Sequence, residues 1–137
     1  MSDETKILEK LVIDKEQIKK NLDSLVEKSL KIFRIEKETG KIRFEDFGAL
    51  TDQEKICSAL IAKYFANILG IATENSMSIS NISEEIGRPM TTLSGELEKL
   101  KKKRYVEKLT TRKYRIVYHR ISEILDEILK SISKNKK

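Results

Sequence analysis

Ile79-Ser-Asn-Ile-Ser-Glu-Glu-Ile-Gly-Arg-Pro-Met-Thr-Thr-Leu-Ser-Gly-Glu-Leu-Glu-Lys-Leu-Lys-Lys-Lys-Arg-Tyr-Val-Glu-Lys-Leu109 holds two helical apolar repeats separated by a tight turn. Ile82 and Ile86 sit four apart, which places both on one face of a short helix. Ser80 is suited to cap its start and Gly87 to end it in a left-handed conformation. Arg88-Pro89 turns the chain, and proline fits the first position of a helix because its missing N–H would have no partner there. A second helix then runs from Pro89 to about Arg104 and buries Leu93, Leu97 and Leu100 at spacings of four and three. Its other side carries Met90, Thr91, Ser94, Gly95 and Glu98, followed by a run of lysines.

Downstream, Tyr105–Leu109 and Tyr114–Tyr118 are rich in tyrosine, valine and isoleucine and read as two strands. Thr110-Thr111-Arg112-Lys113 joins them as a polar turn. From His119 onward, Ile121, Ile124, Leu125, Ile128, Leu129 and Ile132 form a strict three-four stripe on a last helix, with a frayed tail from Ser133 to Lys137. Upstream, Thr51-Asp52-Gln53-Glu54 has the spacing of a capping box. The helix it opens carries Ile56, Leu60, Tyr64, Phe65, Ile68 and Leu69 inward and ends at Gly70; Ala72–Ser78 follows as a polar linker. Residues Met1–Phe33 read as helical through Ile18, Leu22, Leu25, Val26, Leu30 and Phe33. Ile32–Glu36 and Lys41–Phe47 read as short strands around Lys37-Glu38-Thr39-Gly40, with Phe33 and Ile35 on one face.

The expected fold is mainly α with small β. Residues 1–50 form a helix and hairpin extension, 51–118 the central domain, and 119–137 a C-terminal amphipathic helix with a basic tail. At 137 residues there is room for one core with attachments. One cysteine, Cys57, excludes an internal disulfide, and one histidine, His119, leaves no set of four zinc ligands, so no metal or cofactor is expected. Cys57 is read as an inert packed thiol, and His119 as a surface or capping residue. The absence of a basic-then-apolar leader and of a long apolar run points to the cytosol, with no membrane role.

Net charge is +6, but its placement matters more. Met1–Gly87 holds 13 Lys/Arg against 16 Asp/Glu, a net of −3, whereas Arg88–Arg120 holds 11 against 3, a net of +8. A local excess of that size is the electrostatic footprint of a polyanion partner, against the plainer alternative of a solvated charged face.

The segment Ile79–Leu109 resembles the helix-turn-helix and wing of prokaryotic transcriptional regulators of the MarR and ArsR kind, and the likeness extends more loosely from Thr51 to Tyr118. The resemblance implies a winged helix-turn-helix that binds double-stranded DNA, with the Pro89–Lys103 helix in the major groove. Met90, Thr91, Ser94 and Gly95 are then base-proximal. Thr91 and Ser94 can donate or accept, and Gly95 permits close approach; alternatively Thr91 caps the helix and Gly95 packs against the preceding one. Arg88, Lys99, Lys102, Lys103, Arg104, Arg112, Lys113 and Arg115 are the expected phosphate contacts. Two departures stand out: Arg104 occupies a position where these proteins usually have glycine, and Glu96 and Glu98 bring negative charge to the helix.

Ile121, Ile124, Leu125, Ile128, Leu129 and Ile132 are expected to pair two copies as a homodimer, unless the N-terminal helix covers them or is itself the partner surface. A protein-interaction adaptor or an RNA-binding protein are the rival readings. With no histidine partner for His119, no base beside Cys57 and no glycine-rich phosphate loop, an enzyme is not expected.

Overall fold

The computed structural model describes residues 15–110 and 112–135, and the helix expected over Met1–Asp14 lies outside them. Over the described residues the chain is mostly helical, with two small antiparallel sheets. In order it runs α1 (Lys15–Leu30), β1 (Phe33–Ile35), β2 (Ile42–Phe44), α2 (Asp52–Ile68), β3 (Met77–Ser78), α3 (Ile79–Ile86), α4 (Met90–Lys102), β4 (Val106–Thr110), β5 (Lys113–Ile116) and α5 (Ile121–Asn135). Short 3-10 turns at Phe47–Ala49 and Tyr118–Arg120 complete it.

The capping box forms as expected. The Glu54 amide donates to Thr51 Oγ1 at 3.2 Å, and the Thr51 amide donates to Glu54 Oε1 at 2.9 Å, so two otherwise orphaned amides are satisfied. From that start α2 threads the centre of the core, burying Ile56, Leu60, Ile61 and Phe65 against α3, α4, α5 and β5. Ile82 and Ile86 of α3 and Leu93, Leu97 and Leu100 of α4 close over it. Gly87 ends α3 with φ +68°, a conformation that costs a side-chain-bearing residue about 1–2 kcal/mol.

Two local expectations shift. Ser78, not Ser80, caps α3: its Oγ accepts from the Asn81 amide at 3.1 Å. The end of the expected linker is also a strand. Met77 and Ser78 pair with Tyr114 and Lys113, giving a three-stranded sheet in the order β3-β5-β4 that ties the hairpin to the start of α3. The upstream strands are shorter than expected, with Phe33 opposite Phe44 and Ile35 opposite Ile42.

The stripe on α5, expected to pair two copies, packs within the chain itself. Ile121, Ile124, Leu125, Ile128 and Ile132 are buried within the chain itself, and Leu129 packs at the edge of the same core. Helix α1 lies on α5, fastened by Lys28 Nζ to Asp126 at 2.9 Å and to the Ser122 hydroxyl at 3.1 Å. Burying five such side chains contributes about 1.5–3 kcal/mol each to folding. A seam between copies built from them would first have to expose them. The second reading of that stripe, cover by the N-terminal helix, is the one realised.

Candidate nucleic-acid interface

Helix α4 turns its apolar side inward at Leu93, Leu97 and Leu100, so helical geometry brings Met90, Thr91, Ser94, Gly95, Glu98 and Lys102 outward. The four expected base-proximal residues all reach the surface, Met90 with 50% of its area exposed. No side chain caps the helix start at Pro89, so Thr91 is not held as a cap. A Cβ built on Gly95 would meet no heavy atom within 4 Å, which removes the packing explanation for that glycine. The middle of a helix disfavours glycine by about 1 kcal/mol relative to alanine, and nothing in the fold requires it here.

The flank of α4 that faces α2 is fixed by a polar chain. Lys103 Nζ donates to Gln53 Oε1 at 3.1 Å, Gln53 Nε2 donates to Glu96 Oε2 at 2.8 Å, and Glu96 pairs with Lys99 at 3.5 Å. Glu96 therefore serves the attachment of α4 to α2. Glu98 is exposed and lies 3.6 Å from Lys101.

The expected phosphate contacts fall into two groups. Arg88 pairs with Asp52 at 3.1 Å, Lys99 with Glu96, Lys113 with Glu74 at 3.0 Å and Arg115 with Glu107 at 2.7 Å. These pairs are solvent-exposed or half-buried and are worth about 0–1 kcal/mol each, so a phosphate can displace them at small cost. Lys102, Lys103, Arg104 and Arg112 have no ion pair among the described residues. Arg112 sits beside the hairpin tip, where its carbonyl accepts from the Ile79 amide at 3.0 Å and holds the tip against α3.

Arg104 takes φ +65°, the only positive φ of a non-glycine residue among those described. The helix-to-strand turn therefore keeps the backbone shape for which glycine is best suited, with an arginine in it. Its side chain, with Lys101, Lys108 and Arg120, lines a cleft at the root of the hairpin and not the outer stripe of α4. Sequence reading missed Lys101, Lys108 and Arg120, because only the fold brings the end of α4, β4 and the start of α5 together.

Beneath α4, Tyr105 is buried and donates its hydroxyl to Glu127 Oε1 at 2.8 Å. Burial, then that hydrogen bond to a carboxylate, push its pKa up to about 12. Burial likewise pushes the Cys57 thiol up to about 12, which leaves it protonated and unreactive in the folded chain. His119 is exposed and packs edge-on against Tyr118 at 5.5 Å. No helix among the described residues is long and apolar enough to cross a membrane. No family model matches the chain, and no curated protein or solved structure is significantly similar to it.

Proposed function

We propose that the chain is a winged helix-turn-helix protein that binds double-stranded DNA and regulates transcription. Helix α4 enters the major groove, and the β4–β5 hairpin lies on the adjacent backbone or minor groove. The observation that carries the reading is the outer face of α4. Thr91, Ser94 and Gly95 present small, exposed groups that the fold itself does not use, on the one part of the chain with a large excess of positive charge. The element order supports it too: helix, short strand, short helix, turn, longer helix, hairpin, with the short strand closing the hairpin's sheet.

In this arrangement Thr91 and Ser94 meet base edges or the sugar-phosphate beside them, and Gly95 lets the duplex approach the helix backbone. Lys102 and Arg112 have no carboxylate to release before taking a phosphate; Lys99, Arg88, Lys113 and Arg115 exchange a weak internal pair for a stronger partner. The apolar surface left for a second copy lies on α1, at Leu22, Val26 and Leu30, and near the end of α2, at Ile68, Leu69 and Tyr118.

Fluorescence anisotropy of a short labelled duplex tests the proposal. Wild-type protein binds the DNA duplex more tightly than RNA of the same sequence, and Lys102→Glu with Arg112→Glu weakens DNA binding by about tenfold or more. Equal affinity of wild type and double variant would refute the placement, and a preference for RNA would refute the target.

A further inference from the structure

A cavity of about 170 Å³ lies where the tip of the β1–β2 hairpin meets α2, β3 and α3, and none of the residues assigned to the DNA contact lines it. The hairpin fixes its shape. The Gly40 amide donates to the Glu36 carbonyl at 2.8 Å, the Glu36 amide donates to the Lys41 carbonyl at 2.9 Å, and the Thr39 hydroxyl donates to the Glu36 carboxylate at 3.0 Å, so the tip is a closed turn. Gly40 takes φ +73°, and a Cβ built on it would stand 3.2 Å from Ile71 Cγ2, so the tip lies tight against the segment that follows α2.

Floor and rim differ in chemistry. Ala59 and Ala62 of α2, Met77 of β3 and Ile42 of β2 give the cavity apolar walls. Lys41 and Lys63 bring two ammonium groups to it, and Glu84 and Glu85 bring two carboxylates. Other charges of the hairpin are paired, Arg43 with Glu36 and Arg34 with Glu45, each at 3.3 Å. The four that line the cavity have no ion pair among the described residues. Glu85 is half-buried, and burial raises its carboxyl above the usual range, against the opposing pull of a backbone hydrogen bond from Ile42 and of Lys41 and Lys63. A carboxylate that faces two ammonium groups across open space serves the fold poorly, because its desolvation is offset by no direct ion pair. A molecule with a charge of each sign completes both ends of that arrangement. A cavity of about 150 Å³ holds one benzene, so the space admits a compact aliphatic body as well.

We propose that this cavity binds a free α-amino acid with an aliphatic side chain, its carboxylate held by Lys41 and Lys63, its ammonium group by Glu85 and Glu84, and its side chain against Ala59, Ala62 and Met77. An acid or an amine alone leaves one pair of rim charges unanswered, and a nucleic-acid phosphate is repelled by the two carboxylates. The site is separate from the DNA-facing helix, and its test requires no DNA.

Calorimetric titration of the full chain with L-valine at neutral pH provides that test. Wild type takes up one equivalent saturably. Isovalerate and isobutylamine, which lack the ammonium and the carboxylate group of valine respectively, bind about tenfold more weakly or less. Glu85→Gln keeps the size of the side chain and removes a half-buried charge, so it weakens valine binding by about tenfold or more without lowering Tm; Lys63→Gln weakens it from the other end. Arg112→Gln, on the second hairpin, leaves it unchanged. No saturable uptake of L-valine would overturn the proposal, as would equal affinity for valine and isovalerate or equal affinity in wild type and Glu85→Gln.

Discussion

Gly95→Ala separates what the fold wants from what the proposed function wants. Gly95 lies in the interior of a 13-residue helix, is exposed, and a methyl group placed on its Cα would meet no heavy atom within 4 Å. Adding the methyl therefore introduces neither a clash nor a new contact. What changes is helix propensity, which favours alanine by about 0.8–1.0 kcal/mol. For a domain of this size that corresponds to a rise in Tm of about 3 °C, measurable by calorimetry or by the urea midpoint. On DNA the sign reverses. If α4 approaches the groove at this residue, the methyl holds helix and duplex apart, and anisotropy reports weaker binding by the more stable protein. Unchanged or lower stability would refute the description of α4 as an unobstructed helix at this point. Higher stability with undiminished duplex affinity would refute the placement of Gly95 against DNA.

Other substitutions probe the fold and its charges. Arg104→Gly raises Tm by a few degrees, because relief of about 1–2 kcal/mol of left-handed strain exceeds the roughly 0.5–1 kcal/mol that glycine's unfolded-state freedom costs; Arg104→Ala, which keeps the strain, gives no such rise, and equal behaviour of the two would contradict the positive φ. Leu125→Ala, at a fully buried position of α5, lowers unfolding free energy by about 2–5 kcal/mol in urea titrations without altering sedimentation; a small loss joined to dissociation of a dimer would restore the seam between copies. Tyr105 and Cys57 have ordinary values of 10.0 and 9.0 and are raised to about 12 in the folded chain, so the unfolded chain gives up these protons first. Their contribution is complete below about pH 9 and is lost toward pH 12. The urea midpoint falls between about pH 8 and pH 10.5, less steeply in Tyr105→Phe, and a midpoint that held or rose would contradict the buried, protonated pair.

Local signals in the sequence carried the helices. Thr51 and Glu54 make both bonds of the capping box, and Gly87 adopts the left-handed end that its place after Ile86 demanded, because these features depend on residues within a few positions of each other. The three-four stripe of α5 was equally legible as a covered face. Periodicity says that a face is buried, though, and not whether α1 or a second molecule buries it, and the choice rested on tertiary contacts through Lys28 and Asp126. Strand β3 is two residues long, too short for any alternation, and owes its pairing to Tyr114 and Lys113, far downstream in the chain. The internal partners of the cations were hidden for the same reason: Asp52 and Glu74 are remote in sequence from Arg88 and Lys113. At Arg104 the departure from glycine was visible, but its backbone conformation and its place in the cleft were not, since both depend on how α4 meets β4.

Whether α4 and the hairpin grip duplex DNA through phosphate contacts is read from the salt dependence of the affinity. With about six phosphates contacted, the dissociation constant rises roughly a thousandfold between about 50 and 200 mM salt, with a steep linear slope on logarithmic axes. A flat line, or no binding at the lowest salt, would contradict it.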